Sequence, residues 1–219
     1  QGDAGTETKN ENEASQEGTA AGSDSGAEEK APAESAASEG GKIVNVGVTA
    51  SLGGVNPFVI DQTEINKYAI GLMFLPLVEL DKDLNFQNML ADSITTEDNL
   101  NFIVHIDDAA TWSDGTPVTA EGVEYTVRRL ASPVVNNTTL MLYAFEGVGD
   151  EGFVEEGAES VEGIQVIDEK TVQFTSKYPM ALTTFENTYA RYLHTMPKHV
   201  IEKFSEQELT TTEWFNRPD

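Results

Sequence analysis

Residues 1–42 contain no Val, Ile, Leu, Met, Phe, Trp or Tyr. A stretch without those side chains buries too little apolar area to offset the ordering of its backbone, which costs roughly 1–2 kcal/mol per residue. It is expected to be a disordered, acidic Gly/Ala/Ser linker, so the fold must come from residues 43–219. Runs such as Ala20–Gly26 and Ala31–Ser35 have the chemistry of flexible, self-repelling spacers.

Charge narrows the choice of partners. The chain carries 38 acidic and 13 basic residues, a formal net charge of −25. A surface this anionic repels phosphate backbones, which argues against nucleic acid as a partner. Cysteine is absent, which excludes thiol catalysis, disulfides and Cys-ligated metal centres. No stretch approaches 18 consecutive apolar residues, so no membrane-spanning helix is expected.

Alternating Val44, Val46 and Val48 predict a strand over 43–49. Ser51–Pro57, with two glycines and a proline, breaks regular structure. Ile65, Ala69, Leu72 and Met73 recur at helical spacing, and Pro76 ends that helix. Leu77–Leu80 reads as a short strand and Asp81–Asn85 as a polar turn. Phe102, Val104 and Ile106 share one face of a strand that should pair with 93–96. Ser113–Pro117 is a turn, and Thr119 caps a helix carrying Val123, Val127 and Leu130 at i, i+4 and i+7. Residues 146–163 read as an acidic surface excursion. Strands at 163–166 and 171–175 flank an Asp168–Lys170 turn, and short helices are expected at 179–186 and 198–204. Mixed helices and strands without steady alternation give an α/β or mixed α+β class.

No catalytic constellation emerges. His194 and His199 are five apart, the wrong spacing for two ligands on one helix face, and His105 sits in a strand; no metal site is expected. Asp81, Asp83, Asn85 and Asp92 imitate a calcium loop. However, Phe86 stands where the sharp turn needs glycine, and the twelfth position lacks the bidentate Glu. There is no nucleophile elbow, phosphate-cradling loop or evident carboxylate pair. The expectation is no cofactor, no catalytic residue and no enzyme. A carboxylate-dependent hydrolase is the alternative from another class.

The segment Trp112-Ser-Asp-Gly-Thr-Pro-Val-Thr-Ala-Glu-Gly-Val-Glu-Tyr-Thr-Val-Arg-Arg-Leu130, followed by Ala-Ser-Pro133, closely resembles the signature of the bacterial extracellular solute-binding proteins of family 5. These are the peptide-, dipeptide- and nickel-binding components of ABC importers. Asn56-Pro57, Leu75–Asp81, Leu90–Ser93, Val161–Phe174 and His194–Val200 resemble further elements of the family in order and spacing. Phe74-Leu75 and Asp107 depart from it, where members commonly carry Tyr-Glu and Arg.

The resemblance implies a type II periplasmic-binding-protein-like fold, closing by a hinge on a solute. In this reading residues 43–57 begin the first lobe, 58–159 form a small extra domain, and 160–219 return to the first lobe, ahead of a second lobe. It implies capture of oligopeptides or dipeptides outside the cell and delivery to ABC permease subunits, with nickel chelates or oligosaccharides as alternatives. Residues 1–42 would tether a monomer to the outer face of the membrane through a lipid anchor upstream of Gln1. Ligand contacts are expected at Ala50, Ser51, Leu52, Gly53 and Gly54, whose glycines let backbone groups approach a peptide. The resemblance adds Tyr143. The signature segment itself is expected to be scaffold.

Overall fold

The computed structural model describes residues 45, 47–59 and 63–216. The expected linker over 1–42 lies outside the described residues, as do positions 43, 44 and 46 of the strand expected over 43–49, and the described residues 45 and 47–49 are not in a strand. Residues Gly47–Asp219 form one compact unit.

A four-stranded antiparallel sheet organises that unit. Strands β3 (Ala91–Thr95), β4 (Asn101–Ile106), β5 (Ile164–Val166) and β6 (Thr171–Thr175) lie in the order β3-β4-β6-β5. Pairing of Phe102 with Phe174 and Val104 with Val172 puts the apolar members of β4 and β6 on one face. All four are buried, as period-two alternation demands. Strands β3 and β4 precede residue 160, whereas β5 and β6 follow it. The expected domain boundary at 159/160 therefore runs between strands of a single sheet, because the β5–β6 hairpin completes its hydrogen bonding through β4.

Turn chemistry accounts for the hairpins. Strands β1 (Val78–Leu80) and β2 (Phe86–Asn88) form a separate two-stranded ribbon. At its turn the Asp81 carboxylate accepts from the backbone N–H of Asp83 (2.8 Å) and Asn85 (2.9 Å). The resemblance to a calcium loop is thus explained by an Asx turn, and no group of metal-ligating side chains occurs among the described residues. Asp98 repeats the device between β3 and β4, accepting from Leu100 and Asn101, and these bonds pull its pKa down to about 2.

Aromatic rings fill the apolar side of the sheet. Phe185 stacks on Phe102 with ring centres 4.5 Å apart and meets Phe174 edge-on at 5.3 Å. It closes the short helix α3 (Leu182–Phe185), which runs directly into a π-helical turn, Glu186–Ala190. That turn brings Tyr189 onto Phe145 at 4.7 Å.

Two expectations need correction. Helix α1 spans Glu64–Gly71, and its buried face is Asn66 and Ile70, continued by Phe74 beyond the helix. Leu72, one of the apolar residues at helical spacing, is 89% exposed. The helix ends at Gly71, so Leu72 and Met73 leave the helical period. The excursion over 146–163 is likewise pegged to the core by buried Val148, Val154 and Val161. Gly163 shows how close that packing is, since a Cβ there would lie 2.8 Å from the carbonyl oxygens of both Glu146 and Thr175.

Candidate functional site

Loop 48–54 has one end exposed and the other fixed. Ala50, Ser51, Leu52 and Gly53 are exposed and Gly54 is half-buried. The Gly53 N–H donates to the Asn66 side chain at 3.0 Å, tying the loop to α1. Beyond it Asn56 acts as a pin. Its Oδ1 accepts from Phe58 N–H (3.0 Å), and its Nδ2 donates to the Leu209 carbonyl (2.7 Å). Phe58 is fully buried, its ring edge-on to Phe215 at 5.8 Å, and its carbonyl accepts from Asn137. The Asn-Pro pair therefore holds the loop by a side chain at its base, while Ala50, Ser51 and Leu52 stay exposed. Asn56→Ala is expected to lower stability by about 2 kcal/mol, through the loss of two part-buried hydrogen bonds of about 1 kcal/mol each. A lowered urea midpoint at unchanged m would show it.

Tyr143 stands elsewhere, between buried Leu142 and Ala144, with its own ring 42% exposed. No contact among the described residues joins it to 50–54. The histidines are also dispersed. His105 Nδ1 meets Thr171 Oγ1 at 3.1 Å; His194 is buried, with Nδ1 at 3.1 Å from the Tyr192 carbonyl; His199 Nε2 lies 2.7 Å from Asp114 Oδ2. Because a carbonyl only accepts, Nδ1 of His194 carries the proton, and burial pushes the pKa of this side chain down to about 4.

The signature segment is a hub between the sheet and the last helices. Gly115 takes φ +85° in its turn, and Asp114 accepts from Thr116 N–H at 2.8 Å. That bond, with the His199 contact, brings the Asp114 pKa down to about 2. Helix α2 (Ala120–Leu130) is capped by Thr119 Oγ1 and packs on β5 and β6. From its other side Thr126 Oγ1 accepts from Met196 N–H at 2.9 Å. Arg129 pairs with Glu206 at 2.7 Å, and Ser132 Oγ donates to the same carboxylate at 2.6 Å. Glu206 opens helix α5 (Glu206–Thr211), which is capped by a reciprocal Ser205–Glu208 box. The Ser-x-x-Glu spacing was the sequence signal for this unexpected helix.

Two cavities flank the turn after α1. One, of about 420 Å³, is walled by Phe74, Leu90, Val200 and both tryptophans of the chain, Trp112 and Trp214. The other, of about 280 Å³, is lined by Tyr68, Leu72, Leu75, Met89, Arg191 and Tyr192. Neither contains a predicted contact residue. Sequence reasoning missed both, since their walls come together only through the fold.

Comparison with known proteins places this arrangement. Residues 85–218 match the profile of the bacterial extracellular solute-binding proteins, family 5, middle region. No curated protein matches the chain by sequence. Among solved structures, the fold is similar to Haemophilus influenzae OppA in complex with the peptide RPPGFSPFR (TM-score 0.62, 23% identity, 73% of this chain and 31% of that one). It is also similar to Burkholderia pseudomallei OppA (0.60, 23%, 78% and 32%), and to Campylobacter jejuni NikZ in complex with Ni(L-His) (0.56, 19%, 77% and 29%). The chain spans about a third of the length of these structures. With its sheet, capped signature helix and profile match in register, the chain belongs to family 5 of the bacterial extracellular solute-binding proteins.

Proposed function

We propose that this chain supplies one wall of a solute trap, which captures oligopeptides or dipeptides outside the cytoplasm and hands them to the permease of an ABC importer. The family match over 85–218 carries the reading, and the likeness to a peptide-bound OppA favours peptides over other solutes. The backbone of Ala50–Gly54, exposed as far as Gly53 and held from its base by Asn56, offers hydrogen bonds that do not depend on the peptide's side chains. Tyr143 adds an aromatic contact. The small extra domain begins near residue 58 and takes in the β5–β6 hairpin. The protein works as a monomer and without catalysis, and residues 1–42 serve as the spacer to a lipid anchor in the membrane.

Isothermal titration of the protein at its full natural length tests the proposal. Peptide pools are expected to give saturable heat, and nickel–histidine or oligosaccharides none. Saturation by a nickel chelate or a sugar in place of peptides would overturn the peptide assignment within the family. Turnover of a peptide would overturn the non-enzymatic role.

A further inference from the structure

We propose that Tyr178 joins Tyr143 in an aromatic lip that selects peptides by a ring-bearing side chain. This rests on the peptide-binding reading of Tyr143 and extends it to a residue that no motif marks.

The lip is set by the backbone. Phe145 and Ser176 form an isolated antiparallel bridge, and the Lys177 N–H donates to the Ala144 carbonyl at 2.8 Å. Continuing outward, the pairing brings Tyr143 and Tyr178 to the same edge. Each is fixed by its neighbours: Tyr143 lies between buried Leu142 and Ala144, while the Tyr178 carbonyl accepts from Ser176 Oγ at 2.8 Å. Two residues further on, Met180 N–H donates to the Asn99 carbonyl at 2.8 Å.

The two rings nevertheless stay 42% and 45% exposed. Most of the large aromatic side chains nearby, Phe145, Phe174, Phe185 and Tyr189, are buried. Burial and then the Tyr143 phenol raise the pKa of Tyr178, and burial followed by these two phenols raises that of Tyr189. Phe145, which forms the bridge to Ser176, meets Tyr189 edge-on at 4.7 Å in the core. The result is two half-exposed amphipathic rings at one edge of a backbone pairing anchored in that core. Such rings lose little conformational entropy on binding and favour stacking or edge contact with another ring.

Two pentapeptides test it, one all alanine and one with a single central phenylalanine, titrated into the wild-type protein and three variants. The phenylalanine peptide is expected to bind wild type about tenfold more tightly, as an aromatic contact of ordinary strength gives. Tyr178→Ala should remove most of that preference while leaving the all-alanine peptide within about twofold of its wild-type affinity, and Tyr143→Ala should also remove most of the preference. Tyr178→Phe should keep the preference, because the ring and not the hydroxyl makes the contact. Equal binding of the two peptides by wild type, or a Tyr178→Ala loss shared equally by both, overturns the lip while leaving peptide capture intact. Absence of binding by either peptide overturns peptide capture and the lip together.

Discussion

Replacing Glu206 with alanine is expected to destabilise the fold by about 3 kcal/mol. Its carboxylate receives the Arg129 guanidinium at 2.7 Å and the Ser132 hydroxyl at 2.6 Å, and the side chains of the ion pair are only 16% and 18% exposed. Removing the carboxylate strands a guanidinium whose Nε already lacks a partner among the described residues. Breaking a buried pair from one side costs about 3–5 kcal/mol, and partial exposure argues for the low end. In a domain of this size the melting temperature should fall by about 6–12 °C. The control removes both partners. Arg129→Met combined with Glu206→Leu restores apolar packing around Tyr125 and should recover most of the loss. A double variant no more stable than the single one would show that the pair is not the cause.

That ion pair also shows where sequence reading stops. The alternation of Phe102, Val104 and Ile106, the Asp81 turn and the Thr119 cap are local, so each was legible from a few neighbouring residues. The partners Arg129 and Glu206 are 77 positions apart and meet only after α2 has docked on the sheet. Nothing near either residue marks the contact. Helix α1 failed for a different reason. Its buried face includes a polar residue, Asn66, which apolar spacing does not mark, and Leu72 of that spacing is exposed. The π-helical turn at Glu186–Ala190 has no period that a helical template would register. Of the candidate site, the glycine loop was visible as a break in regular structure, whereas Tyr178 became a candidate only through its pairing beside Tyr143.

His194 should give the fold an acid-sensitive step that its carboxylates do not. The imidazole is 8% exposed, and its Nδ1–H donates to the Tyr192 carbonyl. Burial disfavours the imidazolium, lowering its pKa from 6.5 to about 4, an effect that the Tyr192 bond only partly offsets. Between those values the unfolded chain binds a proton that the folded one refuses. Stability from this group is therefore complete above pH 6.5 and is lost as pH falls toward 4. The gap between the two values corresponds to about 3 kcal/mol at the acid end. Carboxylates with lowered pKa act below this window. Asp98 and Asp114, both near 2, contribute stability above the ordinary carboxylate range that disappears only as pH falls through about 4 to 2. Glu124 and Glu186 have the opposite sign, because burial raises them and protonation then favours the fold. Comparing variants separates these contributions. His194→Asn keeps a donor for the Tyr192 carbonyl but cannot titrate. Urea unfolding at a series of pH values should show wild type losing about 3 kcal/mol from pH 7 to 4 relative to His194→Asn, with the two curves running parallel below 4. Parallel curves across the whole range would mean that His194 takes up its proton as readily in the folded chain as in the unfolded one.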